Sequence, residues 1–374
     1  MKIKPALLIL ALLVAFVVSC SRKEEHFTVD IIHNKGPQWG YEPKIELEFV
    51  QKIGALEATE ENYIMWNIWD VVRDSDGNIY ILDSGDSRIQ KFDPQGEYLT
   101  TIGGPGEGPG EFKNPVSLNL DRDGRMYIGD FGKNHYIILD NKGKELRRFR
   151  HEHFIHKSRI LPGKKLIYGG LYNQGVGMLS RYEELAKTGY YNLFHIIDEE
   201  GKNVHSFGEM DIYKEENMDA IFTNANAPFD VDRNGNIYIA YRYRNLIEKR
   251  DSGGNILLVF DRPLNFKETG YLFDFTFETY SNSISTHVAV DTKDRVWIIT
   301  VIEQPDEWRE QLKLSILMSV KKSAAVFEIY NSEGILLGSL PLPEDIFLFR
   351  IFDDRLLIVD PDRVSVSEYK IIEK

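Results

Sequence analysis

The sequence is poor in cysteine: Cys20 is the only one among 374 residues. An internal disulfide framework is therefore excluded, and the folded part has to be held together by its core alone. Positive charge is also in short supply. Forty-five Lys and Arg stand against 58 Asp and Glu, for a formal charge of −13. That balance lacks the basic face on which nucleic-acid binding depends, so no nucleic-acid partner is expected. It equally disfavours adhesion to anionic head groups by charge. Long apolar runs are scarce too. The unbroken run Ala6–Val18 is shorter than the roughly 20 residues that cross a bilayer comfortably. A nucleotide cradle is likewise missing. The glycine-rich stretch 103–112 carries two prolines and no Lys-Ser/Thr, and it leads into a strand rather than a helix, so it reads as a crossover loop.

What the first residues do contain is a secretory signal. Lys2 and Lys4 precede the apolar run, small residues mark its end, and charge resumes at once in Ser21-Arg22-Lys23-Glu24-Glu25. An uncleaved anchor helix is the alternative. The tetrad Val17-Val18-Ser19-Cys20 resembles the lipobox of bacterial lipoproteins. That resemblance implies removal of residues 1–19 and a diacylglycerol on the thiol of Cys20, the side chain best suited to nucleophilic attack. Lys23-Glu24-Glu25 resembles the short acidic export signal of some surface lipoproteins, or is simply the start of a solvated tether over 20–44. The expected location is outside the cytoplasm, lipid-anchored in an outer membrane, periplasmic or surface-facing. The acyl chain on Cys20 is then the membrane partner.

Aromatic residues are plentiful at 12%, with 19 Tyr and 21 Phe, which suits a β-rich protein with a large core. The remainder of the chain repeats itself. Residues 70–103 and 116–149 each run strand, Asp-x-Asp-Gly turn, strand with Tyr-Ile, polar loop, strand ending in Asp, Gly-containing turn, strand. Gly77 and Gly124 stand 47 positions apart, the length of a four-stranded propeller blade. Weaker copies occupy 158–207, 229–260, 288–299 with 325–340, and 346–372. Six units result, and the last one is a strand short. Residues 45–53, IELEFVQKI, have strand character and precede the first unit; as the missing outer strand they would close the ring. The expected fold is all-β: a six-bladed β-propeller of four-stranded antiparallel blades over 45–374, closed by an N-terminal strand. Trp308, Leu312, Ile316, Leu317 and Val320 predict a short amphipathic helical insertion near 303–322.

Phe92-Asp93-x-x-Gly96, the glycine-rich stretch to Phe112, Asn114-Pro115 and Asp121-x-Asp-Gly124-x-x-Tyr127-Ile128-x-Asp130 together resemble an NHL-repeat blade boundary. From about residue 45 the chain resembles six-bladed β-propeller lipoproteins of exported bacterial families of undefined function. The resemblance implies fold and location. It names no ligand, since one propeller scaffold serves many functions.

Candidate binding residues come from the face that carries the second-to-third strand loops and the inter-blade crossovers. These are Asp83 and Arg88 in unit one, Asp130 and His135 in unit two, Tyr172 in unit three, and Tyr241, Arg242, Tyr243 and Arg244 in unit four. Aromatics beside planar charged groups suit a glycan or peptide. Loop capping is the competing role for Asp83 and Asp130. The Asp-x-Asp-Gly turns at Asp74 and Asp121 lack the terminal Glu of a calcium loop and read as hairpin caps. No cofactor is expected. His151, His153 and His156 are the densest potential ligands, and they keep zinc or calcium open as an alternative, although their spacing is not that of a helical zinc motif. The sequence thus favours a binding or scaffold module for a small molecule, glycan, peptide or envelope protein. A metal-dependent, lactonase-like hydrolase or lyase is the alternative.

Overall fold

In a computed structural model of the chain, the described residues are 29–40, 42–132, 134–150, 157–169, 190–211, 227–268, 282–304 and 319–374. The compact unit that contains the sheets spans Ile31–Lys374. Its first strands are β1 (Ile31–His33) and β2 (Ile45–Ile53). Blade one follows as β3 (Ile68–Arg73), β4 (Ile79–Asp83), β5 (Arg88–Phe92) and β6 (Tyr98–Gly103), and blade two as β7 (Pro115–Leu120), β8 (Met126–Asp130), β9 (His135–Leu139) and β10 (Glu145–Arg150). Blade three holds β11 (Lys157–Leu161), β12 (Lys165–Gly169), β13 (Tyr190–Ile197) and β14 (Asn203–Asp211). Blade four holds β15 (Phe229–Val231), β16 (Ile237–Ala240), β17 (Ile247–Arg250) and β18 (Ile256–Asp261). Blade five is β19 (Ser285–Val290), β20 (Val296–Val301), β21 (Ala325–Tyr330) and β22 (Leu336–Pro341). Blade six is β23 (Leu348–Phe352), β24 (Arg355–Val359) and β25 (Val366–Glu373), completed by β2. The six sheets expected from the repeat are present, and the first strands of successive blades neighbour one another around a closed ring.

Turn chemistry sets each hairpin. Asp74 Oδ1 accepts the amides of Asp76 and Asn78, and Asp121 repeats this with Asp123 and Arg125. Six residues on, Tyr80 and Tyr127 donate their hydroxyls to the second carboxylate oxygen, and Trp297 donates its indole Nε1–H to that of Asp291. The Asp-x-Asp-Gly signal is therefore a cap that also anchors an aromatic of the next strand. Gly77 takes φ +89° at the turn, where a Cβ would be strained.

The core is divided into wedges between neighbouring sheets. One wedge joins Val72, Leu82 and Ile89 of blade one to Leu118, Met126 and Ile137 of blade two, and another joins Ile81 and Phe92 of blade one to Ile53, Leu357 and Val359 of blade six. Burying each such side chain is worth about 1.5–3 kcal/mol, so every blade depends on both of its neighbours. The closing strand pairs antiparallel with β25 from Ile45↔Glu373 to Ile53↔Val366.

One boundary differs from the expectation of a tether through residue 44. β1 lies parallel to β18, pairing Ile31 with Val259 and His33 with Asp261. Asn34 then bridges two blades: its Nδ2 donates to the carbonyls of Asp261 and Gly334, and its Oδ1 accepts the amide of Leu336 at 2.8 Å. The amides of Gln38 and Trp39 donate to Leu336 and Leu337. This strap follows no period-two pattern. It is held by one side-chain amide and by edge groups that only the folded sheets supply. The helical insertion near 303–322 falls largely outside the described residues; Val320, at its end, forms an isolated bridge with Ile346.

Candidate functional site at the channel mouth

The inner strands of all six blades contribute to a cavity of about 80 Å³ at one end of the central channel. Its walls are apolar where Trp69, Val116, Phe229, Phe347 and Leu348 face it. Trp69 meets Phe347 edge-on at a centroid separation of 5.9 Å. Its polar lining comprises Asp70, Lys157, Arg159, Thr286 and His287.

Two inter-blade ion pairs build this polar ring. Asp70 accepts Arg350 Nη1 of blade six at 2.9 Å and the Leu118 amide of blade two at 3.0 Å. Asp230 accepts Arg159 Nε of blade three at 2.5 Å and the Val290 amide of blade five at 2.9 Å. In both cases an inner-strand aspartate reaches forward to a backbone amide and backward to an arginine. The ring is thereby pinned at two places by charge-assisted bonds. Burial disfavours the charged form of Asp230, but Arg159, Arg350 and Lys157 outweigh it and hold the carboxyl below its usual range. Burial, followed by repulsion from Arg159, pushes the Lys157 ammonium well below its usual range. Burial, with Lys157 and Arg242 nearby, lowers His287 to about 3, so its imidazole is neutral.

A family model described as 6-bladed beta-propeller, DUF5128, matches residues 45–257. The chain belongs to this family. No curated protein matches it. Among solved structures it is similar to a Bacteroides fragilis protein described as exported, at 13% identity and TM-score 0.58, covering 92% of this chain and 100% of that one. It is also similar to a DUF4221-family member from Bacteroides vulgatus, at 10% identity and TM-score 0.59, covering 88% and 99%. These likenesses concern the fold.

The sequence-selected residues of this DUF5128 propeller take varied places. Asp83 is fully buried, and its Oδ1 accepts the amides of Trp66, Asn67 and Gly85. Asp130 accepts those of Lys113, Asn114 and Gly132. Both carboxylates are spent as loop caps. Arg88 donates to the Ile64 carbonyl and pairs with Asp86 at 3.1 Å, which fixes it locally. His135 opens β9, paired with Asp130. Tyr241 is buried and donates to Glu248 at 3.2 Å; Tyr243 is buried and Arg244 exposed. Arg242 is buried, and its charge reaches His287 beside the cavity. Cys20, His151, His153, His156 and Tyr172 lie outside the described residues. Among the described residues no cluster of three or more His, Cys, Asp or Glu is arranged to hold a metal.

Sequence reading missed Trp69, Lys157, Arg159 and His287. Lys157-Ser158-Arg159 was legible as a basic pair in the first strand of the least regular repeat. Nothing in the sequence says that this strand's first residues turn toward the channel rather than toward a neighbouring sheet. The opposite end opens into a larger space of about 430 Å³ lined by first hairpin turns. Asp74, Asp121, Asp232 and Asp291 there each cap their own turn.

Proposed function

We propose that the protein is an exported propeller, tethered through lipidated Cys20, that binds a small ligand, the end of a glycan or a peptide, at the channel mouth. The observation that carries this reading is the cavity into which six separate blades direct apolar walls and a small set of polar groups, the usual make-up of a ligand site. Export and anchoring are supported by the signal-like start and lipobox-like tetrad of the sequence, and by the exported description of a structural neighbour. Among the described residues no helix is long and apolar enough to cross a membrane.

A glycan and peptide panel tested by calorimetry on the detergent-solubilised mature protein examines the binding role. A ligand whose affinity is lost on Trp69→Ala supports it. Elemental analysis showing one tightly held zinc or calcium per chain, together with turnover of a lactone, would replace it with the hydrolase reading. Anchoring is tested by fractionation: Cys20→Ala should move the protein out of the membrane fraction, and unchanged fractionation refutes the lipid anchor.

A further inference from the structure

The charges around the channel mouth do not balance. Asp70 is taken by Arg350, and Asp230 by Arg159. Lys157 is the third basic side chain, and among the described residues neither nearby carboxylate is left unpaired to favour its charged form. Its Nζ lies instead 5.6 Å from the centroid of the Phe229 ring. Two nitrogens beside it lack any partner. Arg159 Nη2 and His287 Nδ1 are buried with no hydrogen-bond partner, in residues only 4% and 5% exposed that line the same cavity. A buried group without a partner is costly and rare in a folded protein. Two around one cavity, beside a lysine that has no carboxylate of its own, call for a molecule that satisfies them.

Building on the channel-mouth reading, we infer that the site binds an organic carboxylate, whose anionic oxygens are taken by Lys157 and Arg159 while its carbon skeleton lies against Trp69 and Phe347. Guanidinium and ammonium together match a carboxylate's two oxygens. The apolar walls gain nothing from a bare inorganic ion, which selects an acid with a carbon frame. A volume of about 80 Å³ is near half of the roughly 150 Å³ that admits benzene, so the cavity takes the end of a molecule and leaves the rest on the face. Neutral His287 adds no further charge and serves as a hydrogen-bonding group for a hydroxyl or amide beside the acid. A sugar acid and a peptide C-terminus share this chemistry. The chain's overall charge of −13 repels anions at long range, so capture depends on these short contacts.

The test is calorimetry on the detergent-solubilised mature protein with sodium glucuronate, glucose, an N-acetylated dipeptide acid, its C-terminal amide, and sodium sulfate. One or both acids should bind about tenfold or more tighter than the neutral counterpart. Lys157→Met should remove that advantage without lowering the melting temperature, because Lys157 anchors no ion pair; Lys157→Gln replaces it if Met disturbs folding. The stronger acid identifies the source. Equal binding of acid and neutral forms, or acid binding unchanged in both Lys157 variants, overturns the carboxylate inference. The channel-mouth reading survives that result if Trp69→Ala still abolishes binding, and falls with it if Trp69→Ala has no effect. Sulfate competing as well as the acids overturns the organic class, and no binding by any acid at millimolar concentration overturns the inference outright.

Discussion

Replacing Asp70 with Ala tests how the ring is held at the channel mouth. The carboxylate is 4% exposed, and it binds Arg350 of blade six and the Leu118 amide of blade two. It therefore joins three consecutive blades across the position where the chain's two ends meet. Its removal strands a guanidinium that is 7% exposed, which costs about 3–5 kcal/mol. An unsatisfied amide adds about 1–3 kcal/mol. The two terms overlap because one carboxylate serves both, so a loss of about 4 kcal/mol is expected. In a domain of this size each kcal/mol moves the melting temperature by about 2 °C, giving a drop of about 8 °C. Tryptophan fluorescence during urea and thermal unfolding measures it. Arg350→Met removes the stranded charge and keeps a flexible apolar chain near Phe352, over whose ring Arg350 now lies at 5.3 Å. The double variant should recover about half of the loss or more, as a double-mutant cycle reads directly. A cost below about 1 kcal/mol for Asp70→Ala, or a deeper loss on adding Arg350→Met, refutes the view that this pair secures the ring.

Three other outcomes are expected. His287 is held at about 3 in the folded protein against 6.5 for an ordinary imidazole, so the folded state resists a proton that the unfolded state accepts. Its contribution is complete above about pH 6.5, is lost as pH falls toward 3, and is at most about 5 kcal/mol. Urea midpoints at pH 7, 5.5 and 4.5 should therefore fall less steeply in His287→Gln than in the parent, and equal slopes contradict the assignment. Gly103 has φ +80°, and a Cβ there would sit 2.2 Å from Phe112 Cε2. Gly103→Ala should cost about 2 kcal/mol or more in chemical unfolding, and a neutral effect would show that the Phe112 ring yields. Deleting residues up to 54 bares the edge of β25 along its pairing with Ile45–Ile53. Size-exclusion chromatography should then show self-association through that edge, and a monomer with unchanged melting temperature speaks against closure by β2.

What the sequence made legible is which loops share the face of the candidate cavity, because strand order in a repeat determines which loops emerge together. Its residues were harder to find. Asp83 and Asp130 were candidates for either ligand binding or loop capping, and each folds back onto three amides as a cap does. A carboxylate beside a turn has backbone donors within reach and takes them before any ligand arrives. Tyr241 and Tyr243 looked like ligand aromatics but are buried. Conversely, Lys157 and His287 sit at the starts of first strands in different blades, where the spacing gives no hint of a shared cavity.

The sequence by itself determined the number of blades, their hairpins and the closing strand. Those features rest on local chemistry: Asx caps, a glycine in the left-handed region, period-two alternation, and a repeat whose missing strand had one candidate. Tertiary structure alone decided the Asn34 strap, the Asp70–Arg350 and Asp230–Arg159 pairs, and the unpartnered nitrogens around the channel. Their partners lie 71 to 302 residues apart in the chain. At such separations the ring geometry, and no local pattern, sets which charges meet and which polar groups are left without a partner.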